Sequence, residues 1–209
     1  MKKLLIFAIA FISFQSLKAQ KQGAISLNAY GGYTFKDKVN FDGFYGYVDE
    51  AFQYGGGLEF FVRENRSFEV KYLRMDTHFP VYLNGGTKLN EGADQGSISY
   101  LLFGGNNYFG GHPDSKAVPY AGADLGIGFV DMKDGGSSTK FGWDVKLGVK
   151  LKTSSVIALK LQAYVQSVIA AVGSDIYVTG GGALVGVPNY ATIFQFGLGG
   201  ALVFDFKKK

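Results

Sequence analysis

No cysteine occurs anywhere in this chain of 209 residues. That excludes disulfides, thiolate metal sites and an acylated N-terminal cysteine after an export signal. Only two histidines are present, and they are not close enough in sequence to form a ligand pair, so no metal and no cofactor is expected. Proline is scarce, at four residues. Long apolar runs are also missing. The one candidate, Leu4–Phe14, is well short of the ~20 residues a spanning helix needs. It follows Met1-Lys2-Lys3 and precedes Leu17-Lys18-Ala19, the parts of a cleaved secretory signal. The expectation is therefore a signal peptide over 1–19, cut after Ala19, and one domain over 20–209. Loss of Lys2, Lys3 and Lys18 takes the formal charge from +4 to +1, so the basic balance is no argument for a nucleic-acid partner.

Glycine (31 residues) and aromatics (16%) are plentiful, and they follow a pattern. In Phe141–Lys152 the odd positions read Phe141, Trp143, Val145, Leu147, Val149 and Leu151. The even ones read Gly142, Asp144, Lys146, Gly148, Lys150 and Lys152. A period of two is that of a strand with one apolar and one polar face. Similar stretches recur at Gly23–Phe35, Ala51–Val62, Ser67–Met75, Gly96–Phe109, Pro119–Met132, Val156–Val168 and Thr192–Phe206, which makes eight strands. In Gly96–Phe109, Ile98, Tyr100 and Leu102 form the apolar set against Ser97 and Ser99. Long connections are read at 36–50, 76–95 and 170–191, short ones at 63–66 and 153–155, and intermediate ones at 110–118 and 134–140. With no spanning helix, a closed barrel is the one form in which such a chain could cross a bilayer.

Alternation does not say which face points outward, because a soluble lipocalin-like binder also has eight strands with an apolar interior. Two features favour the membrane form. The polar face mixes glycine with charges of both signs: Glu59, Glu69, Lys71, Asp124, Asp144, Lys146, Lys150 and Lys160. An eight-stranded barrel has an interior just wide enough to be filled by side chains, and small residues with complementary charges suit such a lumen. Aromatics also crowd the strand ends, among them Tyr33, Phe35, Phe60, Phe141, Trp143, Phe204 and Phe206, as the girdles of a membrane barrel do. The fold expected is all-β, a single eight-stranded antiparallel up-and-down transmembrane β-barrel.

The signal, the eight amphipathic strands and the last strand Phe194-Gln-Phe-Gly-Leu-Gly-Gly-Ala-Leu-Val-Phe-Asp-Phe206 together resemble small outer-membrane barrels of the OmpA-transmembrane-domain, OmpX and OmpW type. Phe68–Arg74 and Tyr190–Gly200 are similar to segments of barrels from Bacteroidetes-type envelopes. The resemblance implies a Gram-negative outer membrane and contact with its lipid. It also implies a monomer and insertion by barrel-assembly machinery that reads an aromatic terminus. Here Lys207-Lys208-Lys209 follow Phe206.

The eight charged residues named above are expected to pair inside the lumen, fix register and block the pore. The expected role is structural or adhesive, with an unidentified extracellular ligand met by four long loops, above all by Phe41, Phe44, Tyr45 and Tyr47. A narrow porin, or a transporter of small or apolar solutes, is the alternative. No catalytic residue is assigned, and the chain is read as a non-enzyme. A lipid-modifying enzyme would rest on Asp76 and His78 alone, and His112 falls at the opposite end.

Overall fold

The computed structural model describes residues 23–206 apart from 41–42, 110–114, 134–135, 155, 173–177, 181–182 and 186–188. The proposed signal, His112 and the Lys207–Lys209 tail lie outside the described residues. Eight strands form one closed barrel: β1 (Ile25–Thr34), β2 (Ala51–Arg63), β3 (Arg66–His78), β4 (Gln95–Tyr108), β5 (Ala117–Met132), β6 (Ser137–Lys152), β7 (Ile157–Val172) and β8 (Asn189–Phe206). Each pairs antiparallel with its chain neighbours, and β1 closes on β8 from Ile25↔Phe206 to Thr34↔Gly197. The barrel therefore has no free edge to satisfy.

Exposure alternates along the strands, as period two demands. Leu27, Leu58, Val70, Leu125, Leu147 and Leu161 point outward in the middle of the wall, with Phe52, Phe129, Phe141 and Phe194 nearer one rim. Lys71, Lys146, Lys150 and Lys160 are at most 1% exposed. The apolar face is outside and the charged face inside.

β4 departs from the sequence reading. Ile98, Tyr100 and Leu102 are buried in the lumen, while Leu101 and Phe103 face outward. Ser97 and Ser99 lie on the outward side near the rim. Apolar residues occupy opposite faces in the two halves of this strand, which erases the period.

The connections also differ from expectation. Ser137–Lys140, which reads as a polar loop, continues the ladder opposite Gly128–Asp131. Only residues 133–136 are left between β5 and β6, so the contact loops are three long ones and one short. β7 and β8 likewise extend into the last loop, where Val178–Gly180 pairs with Ala183–Val185. The first loop contains the hairpin Asp37–Asn40/Phe44–Val48, to which Val81–Leu83 of the second loop adds a third strand. Gly43 takes φ 86° at the hairpin tip, a conformation glycine adopts without steric cost.

This small sheet sits over the barrel mouth. Val48 and Phe79 join the buried core, and Val39 packs against it. Asn90 pins the second loop by accepting from the Val81 amide (2.9 Å) and donating to the Phe79 carbonyl (2.7 Å). The Phe194 amide donates to Asp37 (2.8 Å), tying the hairpin to β8.

Close packing inside the wall leaves no room at Gly128, where a Cβ would come within 2.6 Å of Val168 Cγ2. Gly128→Leu should therefore lower stability by about 1–3 kcal/mol. The same change at Gly85, where a Cβ meets nothing within 4 Å, should have no comparable effect. Urea unfolding of the detergent-held protein measures both.

Candidate functional site

Strand register sets up the central feature of the lumen. Glu59 stands opposite Glu69 on β2 and β3, Asp124 opposite Asp144 on β5 and β6, and Lys150 opposite Lys160 on β6 and β7. Like charges directly opposite one another repel, so none of these pairs can be stabilised along the wall. Compensation comes mainly from across the barrel, with one diagonal pair, Lys146–Asp124, between the neighbouring strands β6 and β5. Lys160 donates to Glu59 at 2.7 Å, reaching from β7 to β2. Lys146 bridges Glu69 (3.0 Å) and Asp124. Lys71 bridges Asp124 (2.8 Å) and Asp144. Lys150 holds both oxygens of Asp205, at 2.9 and 3.0 Å.

All eight charged residues expected in the lumen thus lie inside it; seven pair among themselves, and Lys150 takes a carboxylate outside that set, Asp205. That carboxylate falls on the polar face of β8 in the sequence. Its place next to Lys207-Lys208-Lys209 in the sequence hid its role.

Neutral donors complete the network. Glu59 accepts from Asn106 Nδ2 (2.8 Å), Tyr108 OH (2.7 Å) and Ser67 Oγ. Glu69 accepts from Asn28 Nδ2 (2.7 Å) and Tyr30 OH. A buried ion pair is tolerated only when its remaining hydrogen-bonding capacity is met. These groups meet it for the two glutamates, while Asp124 Oδ1 and Asp144 Oδ1 have no hydrogen-bond partner among the described residues. Glycine supplies the space: a Cβ on Gly122 would sit 2.7 Å from Lys146 Cε, and one on Gly57 2.9 Å from Lys71 Cβ.

The tiers above and below are filled as well. Gln53 donates to Gln166 (3.0 Å), and beyond this layer come Met75, Ile98, Tyr100, Val168 and Ile193. At the other end Phe61, Tyr108 and Tyr120 pack with ring centroids 5.5 and 5.4 Å apart, beside Ala24 and Val118.

A second feature lies on the outer face of the small sheet. Tyr45 and Tyr47 are two residues apart on one strand and share a face. Tyr82 stands opposite Tyr45 and stacks on it at 5.4 Å. Lys36 lies 4.3 Å from the Tyr47 ring and Lys38 4.5 Å from that of Tyr45, both within cation–π range. Lys36 also pairs with Asp49 at 2.7 Å, and that bond raises its pKa above the ordinary lysine value. Of the loop aromatics expected to bind, Tyr45 and Tyr47 are on this face. Phe44 is half-buried on the same strand, and Phe41 lies outside the described residues. Tyr82 was not legible, because only sheet pairing brings residue 82 beside residue 45.

The remaining pair, Asp76 and His78, shares the outward face at the top of β3. Asp76 accepts two bonds from Arg74, at 3.1 and 2.7 Å, and one from Tyr54 OH at 3.2 Å. Its carboxylate is engaged by these partners rather than by His78.

No protein-family model matches the chain, and no curated protein does. Solved structures do. The outer membrane protein OprG from Pseudomonas aeruginosa superposes with a TM-score of 0.59 at 16% identity, over 92% of this chain and all of that one. Neisserial surface protein A gives 0.58 at 16% identity, over 88% of this chain and all of its own. At that identity the likeness is one of fold.

Because the lysines are caged by carboxylates, Lys146→Glu should be severely destabilising. It removes two ion pairs and sets a fifth negative charge against Glu69 and Asp124. A loss of about 3–5 kcal/mol is expected in urea unfolding, against little change for Lys38→Gln on the exposed sheet. By fold, the chain is an eight-stranded barrel of the kind found in small outer-membrane proteins.

Proposed function

We propose that this chain is a non-conducting outer-membrane barrel that serves as a rigid mount for an extracellular contact surface. The observation that carries this reading is the inversion of the usual protein arrangement. Four lysines and four carboxylates are buried, while the leucines, valines and phenylalanines of the wall face outward. In water such a surface would be an extended aggregation-prone patch. In a bilayer it is the stable face of a spanning barrel. The fold of OprG and of Neisserial surface protein A supports the same location.

A lumen filled by ion pairs, glutamines and aromatic rings speaks against a pore, and the rigid sheet over the mouth speaks for contact instead. Tyr45, Tyr47 and Tyr82, with Lys36 and Lys38 above the rings, form the surface such a role would use. Large, stiff, amphipathic tyrosines give contact area at low entropic cost. Export by a cleaved signal, assembly by the barrel-insertion machinery and a monomeric state belong to the same reading.

Envelope fractionation should recover the protein with the outer membrane, in a form that resists SDS until heated. Reconstituted in a planar bilayer, it should leave the membrane non-conducting. Recovery as a soluble periplasmic protein without a heat shift would overturn the membrane reading. Discrete conductance steps would overturn the plug.

A further inference from the structure

The apolar outer wall gives way to polar and charged residues at the top of β3 and β4. On β3 the outward residues run Phe68, Val70, Tyr72 and then Arg74, Asp76, His78. On β4 they run Phe103, Leu101 and then Ser99, Ser97, Gln95. The register sets Arg74 opposite Ser99 and Asp76 opposite Ser97, with Asp131 of β5 next to Ser97. At the same level the flanking strands carry Phe52 and Phe129, and the far side of the barrel carries Phe35, Phe141 and Phe194, all exposed. Polar and charged residues thus reach the level of the aromatic belt on these two adjacent strands. The result is a groove of about 400 Å³ lined by Arg74, Asp76, His78, Ser97, Asp131 and Lys133.

The groove is organised. Asp76 takes the Nε and one Nη2 donor of Arg74, two of the five that a guanidinium offers. Tyr54 OH also donates to Asp76, and Tyr72 OH donates to Ser99 Oγ at 3.1 Å. Ser97 and Ser99 form a floor, 4% and 6% exposed although they lie on the outer face. Below the groove Leu101, Phe103, Leu125 and Ile127 form an unbroken apolar wall.

On the membrane reading above, an arginine–aspartate pair at the depth of the aromatic girdle would be costly among acyl chains. It needs a polar cover that arrives with apolar chains attached. The lining is of mixed sign, with Arg74 and Lys133 against Asp76 and Asp131, and so matches neither a bare anion nor a bare cation. We infer that this notch is a binding site for the headgroup of a membrane phospholipid carrying a phosphate and a primary ammonium. The phosphate lies on Arg74 and Lys133, the ammonium donates to Asp76 or Asp131, and the acyl chains run down the Leu101–Leu125 wall.

The test is native mass spectrometry of the full chain as exported, in maltoside detergent. Equal amounts of dioleoyl phosphatidylethanolamine, dioleoyl phosphatidylcholine and diglucosyl diacylglycerol are added. The ethanolamine lipid should be retained roughly tenfold over both others, the worth of one charge-assisted hydrogen bond. Arg74→Gln should remove that preference, and Lys116→Gln, exposed at the opposite end of the barrel, should keep it. Equal retention of all three lipids, or an undiminished preference in Arg74→Gln, would overturn the site. Should Arg74→Gln give no heat-shifting barrel, Lys133→Gln, in the turn beyond β5, carries the same two outcomes. Failure of the membrane reading shows separately, as soluble fractionation of the unmodified protein.

Discussion

The structure depends on one electrostatic constraint. Wherever two charged residues of the lumen stand directly opposite on neighbouring strands, they have the same sign: Glu59 with Glu69, Asp124 with Asp144, Lys150 with Lys160. No strand pair can satisfy its charges by itself. Lys146 reaches Asp124 diagonally between β6 and β5. But Glu59, Glu69, Asp144 and Lys150 need partners from elsewhere on the circumference, and the contacts Lys160–Glu59 and Lys146–Glu69 join strands three apart in a ring of eight. These struts act only when the barrel is closed and in register, because a one-residue slip would turn a whole set of lysines outward. Burial of four lysines, unfavourable one by one, becomes a device for choosing a single closed arrangement.

The rest follows from that filled interior. Glycines sit where a lysine or ring crosses the lumen. Glutamines and then apolar side chains take over toward the mouth, and the small sheet covers the top. With the interior occupied, the outer face is left for apolar residues, and polar residues gather at the rim. There the wall carries its tyrosine surface and its notch. Both are held by rigid neighbours, since Asn90 fixes the second loop and Asp76 is gripped from Arg74 and Tyr54.

Much of this was legible in the sequence, and the exceptions have physical causes. Strong alternation in β1, β2, β3 and β6 suffices to show strands, and the charges on their polar faces do meet in the lumen. β4 defeats the pattern because its outward residues are apolar in one half and polar in the other, while Ile98, Tyr100 and Leu102 fill the mouth side of the lumen. Ser137–Lys140 looks like a loop by composition but hydrogen-bonds as a strand. Tyr82 beside Tyr45, Asp205 beneath Lys150, and Ser97 beside Asp76 are products of register. One sequence read strand by strand does not contain them.

The central claim is that cross-lumen ion pairs, not merely a polar interior, hold the barrel in register. A double-mutant cycle on Glu59 and Lys160 tests it most directly, using Glu59→Gln, Lys160→Met and the double variant in urea unfolding from lipid vesicles. The account predicts a coupling of about 2–3 kcal/mol, the upper range for residues in direct contact. Additivity within about 0.5 kcal/mol, as for independent sites, would contradict it.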